Sequence, residues 1–222
     1  MIMQIKPLIT GTIQSWRHLL VHNAPEGIRM EVPVKCFYIE HAGHKLLFDA
    51  GQKPLNYQQL PNADYLVKVT DQQTAAALLK QAEVPLEDIE YIVLSHLHSD
   101  HSAGLVDFPG ATVLLQASEV AGKDPANFAE NIQLVTGQCD IYGDGRLIIL
   151  PSFGHTPGHQ SLLITQDDSS QLLLTGDAAY TADAVNYDCT PEEYRRKTAY
   201  FDTLKALRKM QNNNIKLIYS HE

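Results

Sequence analysis

Three histidines and one aspartate lie within six positions of the chain, in the pattern His96-x-His98-x-Asp100-His101. Imidazole nitrogens and carboxylate oxygens suit a borderline metal ion such as zinc, and no cysteine lies nearby to select a softer ion. Histidines that fall by chance in a polar loop are the other interpretation. The density of the pattern favours a metal site, and since one zinc ion needs three or four ligands, further ligands are expected elsewhere.

An apolar, β-branched run from Glu90 to Leu94 directly precedes this segment and predicts a buried strand that ends there. Strand alternation would place His96, His98 and Asp100 on one side and turn His101 away from them. The segment could therefore serve two metal ions.

Other polar side chains with ligand chemistry also follow predicted strands. The loop 151–159 carries His155 and His159, and one of the two is expected to supply a third nitrogen ligand. Asp177 is placed to bridge two metal ions, and His221 follows the last predicted strand. Asp49 is either a partner of a metal-bound histidine or part of a plain Asp-x-Gly turn. Strand ends at one sheet edge would gather these residues into one site.

The elements that must position these residues follow from hydrophobic periodicity and turn signals. The predicted strands are 2–13 with a turn at Gly11, a hairpin of 29–41 and 44–48 turning at Ala42-Gly43, then 90–94, 111–116, 146–150, 161–165, 171–175 and 215–219. The predicted helices are 72–82 capped by Asp71, one near 126–132, and one from the N-cap Thr190, with Pro191 and Glu193, to about Met210. Residues 52–70 are predicted to be an irregular loop bordering a binding site, in which Tyr57 and Tyr65 either line an apolar pocket or pack the loop.

Composition limits the functional classes. The 222 residues predict one domain, 1–222, with 44% hydrophobic and 19% charged residues. A net charge of -9, with 17 basic against 26 acidic residues and no basic run, disfavours a nucleic-acid partner. Cys36, Cys139 and Cys189 are too few and too far apart for a disulfide framework. With no signal peptide and no apolar run of membrane-spanning length, we expect a cytoplasmic protein without a membrane partner.

Taken together, the motifs resemble the metallo-β-lactamase superfamily over almost the full chain. The resemblance rests on Asp49-Ala50-Gly51, His96-x-His98-x-Asp100-His101, His155, Asp177 and His221, which match in type and order. It implies an α/β fold, an αββα sandwich with a dinuclear metal site at one edge of the sheets. It further implies that His96, His98 and His155 bind the first metal, that Asp100, His101 and His221 bind the second, and that Asp177 bridges, with His159 in a supporting role.

The superfamily contains many chemistries, so the reaction must be inferred from the site. The bridging Asp177 disfavours true β-lactamases, and His98 disfavours flavodiiron oxygen reductases, which usually carry Glu at that place. Net charge disfavours nucleases, and the chain has no room for the added helical domain of glyoxalase II. The segments 154–161 and 175–180 are most similar to quorum-quenching N-acyl homoserine lactonases, in which a tyrosine at the place of Tyr180 contacts the substrate carbonyl.

The resulting hypothesis is a dizinc hydrolase that opens the lactone ring of N-acyl homoserine lactones. A hydroxide shared by two Zn²⁺ ions would attack the carbonyl, Tyr180 would stabilise the oxyanion, and Asp100 would carry the proton to the leaving alkoxide. Four alternatives are left open: Fe, Co or Mn in place of zinc; another ester, thioester or phosphotriester as substrate; a metal-stabilised binding protein; and a homodimer. Because only Glu222 follows His221, whereas such lactonases usually continue, we expect the second metal to be held less firmly unless the chain is longer.

Overall fold

Two β-sheets lie face to face in the computed structural model, which describes residues 2–20, 24–187 and 197–222. The first sheet has the strand order β4-β1-β2-β3-β5-β6-β7 and the second the order β12-β11-β10-β9-β8. The strands of the first are β1 Gln4–Trp16, β2 Arg29–His41, β3 His44–Phe48, β4 Tyr65–Lys68, β5 Ile89–Val93, β6 Thr112–Gln116 and β7 Ile132–Val135. Those of the second are β8 Cys139–Asp140, β9 Leu147–Pro151, β10 Gln160–Thr165, β11 Gln171–Leu174 and β12 Lys216–Ile218.

The main core lies between the sheets. Alternate residues of β2 and β3, such as Phe37 and Phe48, face alternate residues of β9 and β10, such as Ile149 and Leu162, and all are buried. Burying a side chain of this size contributes about 1.5–3 kcal/mol relative to leaving it exposed. The period-2 alternation of apolar residues therefore determines which face of each strand joins this layer.

Helices cover the two outer faces. The α-helices of the described residues are α1 Arg17–Leu20, α2 Ala75–Gln81, α3 Ser99–Ser102, α4 Ala182–Tyr187 and α5 Thr198–Asn212, and α2, α4 and α5 are those that cover the faces. Leu79 of α2 packs on the outer face of the first sheet, and Leu204 and Leu207 of α5 pack on the second. The predicted αββα sandwich is thus confirmed. None of the helices in the described ranges has the length and apolarity needed to cross a lipid bilayer.

Several element predictions were wrong in detail. The first strand does not turn at Gly11, because that residue, at φ 110°, sits in an irregularity between Ile9 and Thr12 that β1 passes through. Residues 126–132 form no helix, since a short 3-10 turn at Pro125–Asn127 is followed by β7. Helix α2 is capped by the hydroxyl of Thr74, not by Asp71, and the predicted loop 52–70 contains β4.

The other strands and the 29–48 hairpin lie within one or two residues of their predicted bounds. The predicted helix start at Thr190, Pro191 and Glu193, and Cys189, lie outside the described residues. Strands β5, β9, β11 and β12 all end at the same edge of the sandwich, where the candidate ligands follow them.

Candidate metal centre

The chain changes conformation directly after β5. The strand ends at Val93, residues 94–98 form a loop, and α3 begins at Ser99. The predicted strand alternation was therefore wrong: Asp100 does not share a side with His96 and His98 but lies beside His101 in α3. The loop directs His96 and His98 to one point, and the helical turn directs Asp100 and His101 to another.

His96, His98, His155 and Asp177 form a first group of metal-ligand type. The Nε2 atom of His155 lies 3.0 Å from His96 Nε2 and 3.0 Å from His98 Nδ1. Asp177 Oδ2 lies 3.3 Å from the same His155 nitrogen. Ligands of a tetrahedral zinc ion with bonds of 2.0–2.1 Å are separated by about 3.3 Å, so these distances suit a single small cation.

Asp100, His101, Asp177 and His221 form the second group. His101 Nε2 and His221 Nε2 each lie 3.2 Å from Asp177 Oδ1. Asp100 Oδ2 lies 3.5 Å and 3.6 Å from the same two nitrogens. Because Asp177 points one oxygen at each group, it has the geometry of a bridging carboxylate. Each group takes two side chains from the end of the first sheet and two from the second.

Hydrogen bonds on the far side of three imidazoles fix which nitrogen faces the site. The Nδ1–H of His101 donates to Asp49 Oδ2 at 2.7 Å, and that of His221 donates to the carbonyl of Pro33 at 2.8 Å. The Ser95 hydroxyl donates to Asp49, so it accepts from the Nδ1–H of His96 at 3.0 Å. All three rings therefore present the lone pair of Nε2 to the interior of the site.

Two atoms at the centre show that a cation fits this arrangement. His101 Nε2 and Asp177 Oδ1 are buried and have no hydrogen-bond partner among the described residues, although they face each other at 3.2 Å. With the Nδ1 proton of His101 donated to Asp49, both atoms are acceptors, so their contact is favourable only when a metal ion or a second proton on His101 lies between them. The nitrogen and oxygen donor set is that of zinc and related divalent ions.

The electrostatics differ between the two groups. Burial and the neighbouring His101 and His155 hold the pKa of His96 well below its usual value, and burial lowers the pKa of His155 to about 3. Burial also opposes protonation of His101, but the charges of Asp177, Asp100 and Asp49 raise its pKa well above the usual value. His96 and His155 of the first group therefore offer neutral nitrogen ligands, and the second group concentrates negative charge that a metal ion can balance.

Asp49 and His159 each form hydrogen bonds that hold candidate metal ligands in place. Asp49 has φ 62°, is fully buried, and accepts from the Ser95 amide at 2.7 Å as well as from His101 and the Ser95 hydroxyl. The amide of Asp177 donates to His159 Nε2 at 2.9 Å, so His159 carries its proton on Nδ1 and donates to Ser152 Oγ at 2.8 Å. His155, not His159, is thus the histidine of this loop that joins the first group.

Tyr180 lies beside both groups. Its ring centroid is 5.6 Å from that of His155 and 5.6 Å from that of His221. Tyr180, His155 and His221 line a cavity of about 540 Å³, whose lining also includes apolar side chains, among them Ile13, Val32, Leu55 and Val67. Tyr57 and Tyr65 also line it, as one of the two sequence interpretations expected. The cavity lining therefore combines candidate ligands with apolar side chains and with other polar side chains such as Gln52 and Gln59.

Two further residues of the site carry no motif. Ser95 could have been found from sequence as the polar residue between a buried strand and the first histidine. Glu119 lies in a segment with no recognisable pattern, yet it exposes only 9% of its surface and accepts hydrogen bonds beside both ligand loops. Only the folded chain brings it there.

Comparison with known proteins agrees with this geometry. The family model of the metallo-beta-lactamase superfamily matches residues 29–221. The chain is 34% identical over 201 residues to the N-acyl homoserine lactonase AttM of Rhizobium radiobacter, covering 79% of this chain and 76% of that protein. It is 32% identical over 170 residues to an N-acyl homoserine lactonase of a Bacillus species, covering 70% and 67%.

Solved structures show the same fold. A structure of an N-acyl homoserine lactone hydrolase with the product N-hexanoyl-L-homoserine bound at its catalytic metal centre superposes with a TM-score of 0.87. It covers 99% of this chain and 93% of that one at 23% identity. The dizinc quorum-quenching lactonase AidC superposes with a TM-score of 0.74 at 16% identity, covering 99% and 87%.

Proposed function

Because the chain belongs to the metallo-β-lactamase superfamily, we propose that it is a dizinc hydrolase that opens the lactone ring of N-acyl homoserine lactones. One observation carries the proposal: side chains of two ligand groups that share Asp177 line a cavity that several apolar side chains also line. This matches a substrate with a polar lactone and amide at one end and an aliphatic chain at the other. The volume of about 540 Å³ is within the usual range for small-molecule sites.

The metal ligands we propose are His96, His98 and His155 for the first ion and Asp100, His101 and His221 for the second, with Asp177 bridging. Bound zinc ions would polarise the ester and lower the pKa of water to about 7, which makes a hydroxide nucleophile accessible at neutral pH. The Nδ1 hydrogen bonds of His96, His101 and His221 orient their rings for this role.

The remaining steps are assigned to side chains of the chain itself. Tyr180, between His155 and His221, donates a hydrogen bond to the lactone carbonyl oxygen as negative charge develops on it. Burial disfavours the charged form of Asp100, but the neighbouring His101 holds the pKa of this carboxyl below its usual value. Asp100 is therefore ionised at neutral pH and can accept a proton and pass it to the leaving ring oxygen.

In this proposal the acyl chain lies against the apolar side chains that line the cavity, which we call the apolar wall. Ile13 and Val32 belong to a small buried cluster of β1 and β2, and Val67 of β4 packs against it. An aliphatic chain placed there is removed from water, which contributes about 0.8 kcal/mol for each buried methylene. Affinity should therefore rise with acyl length until the wall is filled.

A substrate panel tests the proposal. The zinc-loaded protein is assayed with homoserine lactones of graded acyl length, a simple aryl ester, a glutathione thioester and a phosphotriester. We expect the highest kcat/KM for a homoserine lactone, loss of activity after chelation, and recovery with zinc. A higher kcat/KM for the thioester or phosphotriester would assign the site to another substrate, and no metal-dependent hydrolysis would leave only a metal-binding protein.

A further inference from the structure

Glu119 is a buried carboxylate with no role in the proposed ligand set. It lies in a 3-10 turn, Ala117–Val120, directly after β6, and β6 is the parallel neighbour of β5 in the first sheet. The ends of these two strands are therefore adjacent, which brings Glu119 beside the loop that follows β5. A buried carboxylate requires several donors, and each of its bonds is stronger than a neutral one.

Its two oxygens contact two different ligand loops. Oε1 accepts from the amide of Leu97 at 3.1 Å, and Leu97 lies between His96 and His98. Oε2 accepts from the hydroxyl of Thr156 at 2.6 Å and from the amide of Gly158 at 2.9 Å, just after His155. One side chain thus joins the loop of the first sheet to the loop of the second.

The backbones are also in direct contact. A Cβ atom on Gly158 would lie 2.2 Å from the amide nitrogen of Glu119 and 2.5 Å from its Cα, so only glycine permits this approach. A second link, from the amide of Gln160 to the carbonyl of Ser95 at 3.0 Å, lies nearer the strands. The Glu119 contacts are made at Leu97 and Thr156, the sequence neighbours of His98 and His155.

We infer that Glu119 is a positioning residue, which sets the distance between the His96–His98 loop and the His155 loop and so tunes the affinity of the first metal. The inference rests on the metal ligands of the proposed function but not on its substrate. It predicts a selective effect, because the hydrogen bonds of Glu119 within the described residues go to the segments that carry the nitrogen ligands of the first group, and none of them goes to helix α3 or to the segment after β12.

Glu119→Gln tests this without removing volume. An amide has one acceptor oxygen, so either the Leu97 amide or the Gly158 amide faces an NH₂ group and loses its acceptor, whereas the Thr156 hydroxyl can rotate to accept. Changing a residue that supports a ligand typically weakens metal binding 10- to 100-fold. We expect a rise of about that size in the dissociation constant of the first zinc ion and less than about a threefold change for the second.

The readout is a competition titration of metal-free protein with zinc and a chromogenic chelator, with no measurement of activity. His98→Ala and His221→Ala identify which binding step belongs to which site. Gln116→Met is the matched control, because Gln116 is also buried and joins two segments through two hydrogen bonds with Gly137, and its side chain makes no hydrogen bond with a ligand loop within the described residues. It should lower the thermal midpoint of the metal-free protein and leave both zinc constants unchanged.

Three outcomes decide the inference. Selective weakening of the first step supports it, whereas unchanged constants, or equal weakening of both, overturn it and leave Glu119 a purely structural residue. If Glu119→Gln does not fold, Thr156→Val, which removes only one donor, should weaken the first step severalfold, and an unchanged constant there overturns the inference. If the unsubstituted protein binds no zinc, the proposed function itself fails, which is a separate result.

Discussion

Asp49→Asn should weaken the second metal more than the first, which Asp49 reaches only through Ser95 and His96. In the folded chain Asp49 accepts three hydrogen bonds, from the Ser95 amide, the Ser95 hydroxyl and His101 Nδ1–H, at 2.7, 3.0 and 2.7 Å. Asparagine has the same shape and tolerates φ 62° as well as aspartate does, so the backbone is not disturbed. What changes is the negative charge and the number of acceptors.

Either orientation of the new amide breaks part of this pattern. With its oxygen toward the Ser95 amide, the NH₂ group faces His101, which must then accept at Nδ1 and carry its proton on Nε2, the atom that faces the second metal. With its oxygen toward His101, the NH₂ group faces the buried Ser95 amide, donor against donor, at a cost of about 1–3 kcal/mol. We expect the dissociation constant of the second zinc to rise about 10- to 100-fold, equivalent to about 1.4–2.7 kcal/mol.

The assay is a zinc competition titration on the metal-free protein, combined with thermal unfolding. Asp140→Asn is the matched control, because Asp140 also accepts backbone amides with both oxygens, from Gly143 and Gly145, in a turn that carries no candidate ligand. The control should leave zinc affinity unchanged. If Asp49→Asn also left both zinc constants unchanged, the reasoning that Asp49 fixes the tautomer of a metal ligand would be refuted.

The remaining predictions concern the reaction, the stoichiometry and pH. Tyr180→Phe should lower turnover of homoserine lactones about 10- to 100-fold with metal content unchanged, since it removes one donor to the developing oxyanion; near-normal turnover with a lower thermal midpoint would give the hydroxyl a structural role only. Elemental analysis of fully loaded protein should give two zinc ions per chain, and His221→Ala should preferentially empty the second site; one ion in the unsubstituted protein would contradict the ligand assignment. Zinc affinity should fall as pH is lowered, and the fall should begin above about pH 6.5, because the pKa of His101 is raised and its proton competes with the metal. If zinc affinity did not change with pH, His101 would not be a metal ligand.

The fold was largely predictable because alternating apolar residues and turn signals are local. The hairpin at Ala42-Gly43 was read from a glycine turn between two apolar runs, and β2 and β3 follow it in the structure. The element predictions that were wrong lie where the apolar pattern and the turn residues were weak. The apolar residues of 126–132 show no clear helical or strand periodicity. The end of this segment became strand because Ile132–Val135 pairs with β6.

The ligand types were visible in the sequence, but their spatial grouping was not. Strand alternation predicted that Asp100 would lie with His96 and His98, and the helical turn of α3 instead places it with His101. The partners of the ligands were harder still to predict. Glu119 and the Pro33 carbonyl meet the site only through tertiary packing, and the Pro33 contact holds the ring of His221, whose exposure is 6%.

Each ligand group draws two side chains from the first sheet and two from the second, and this has a consequence for the kinetics of unfolding. Metal ions bound there would act as two crosslinks between the layers, at one edge of the sandwich. Separation of the sheets would then require release of metal, so the unfolding rate of the loaded protein should depend on free zinc, while fluctuations within either sheet should not. Hydrogen exchange with and without zinc should accordingly differ most for amides of the core between the sheets, far from the ions themselves.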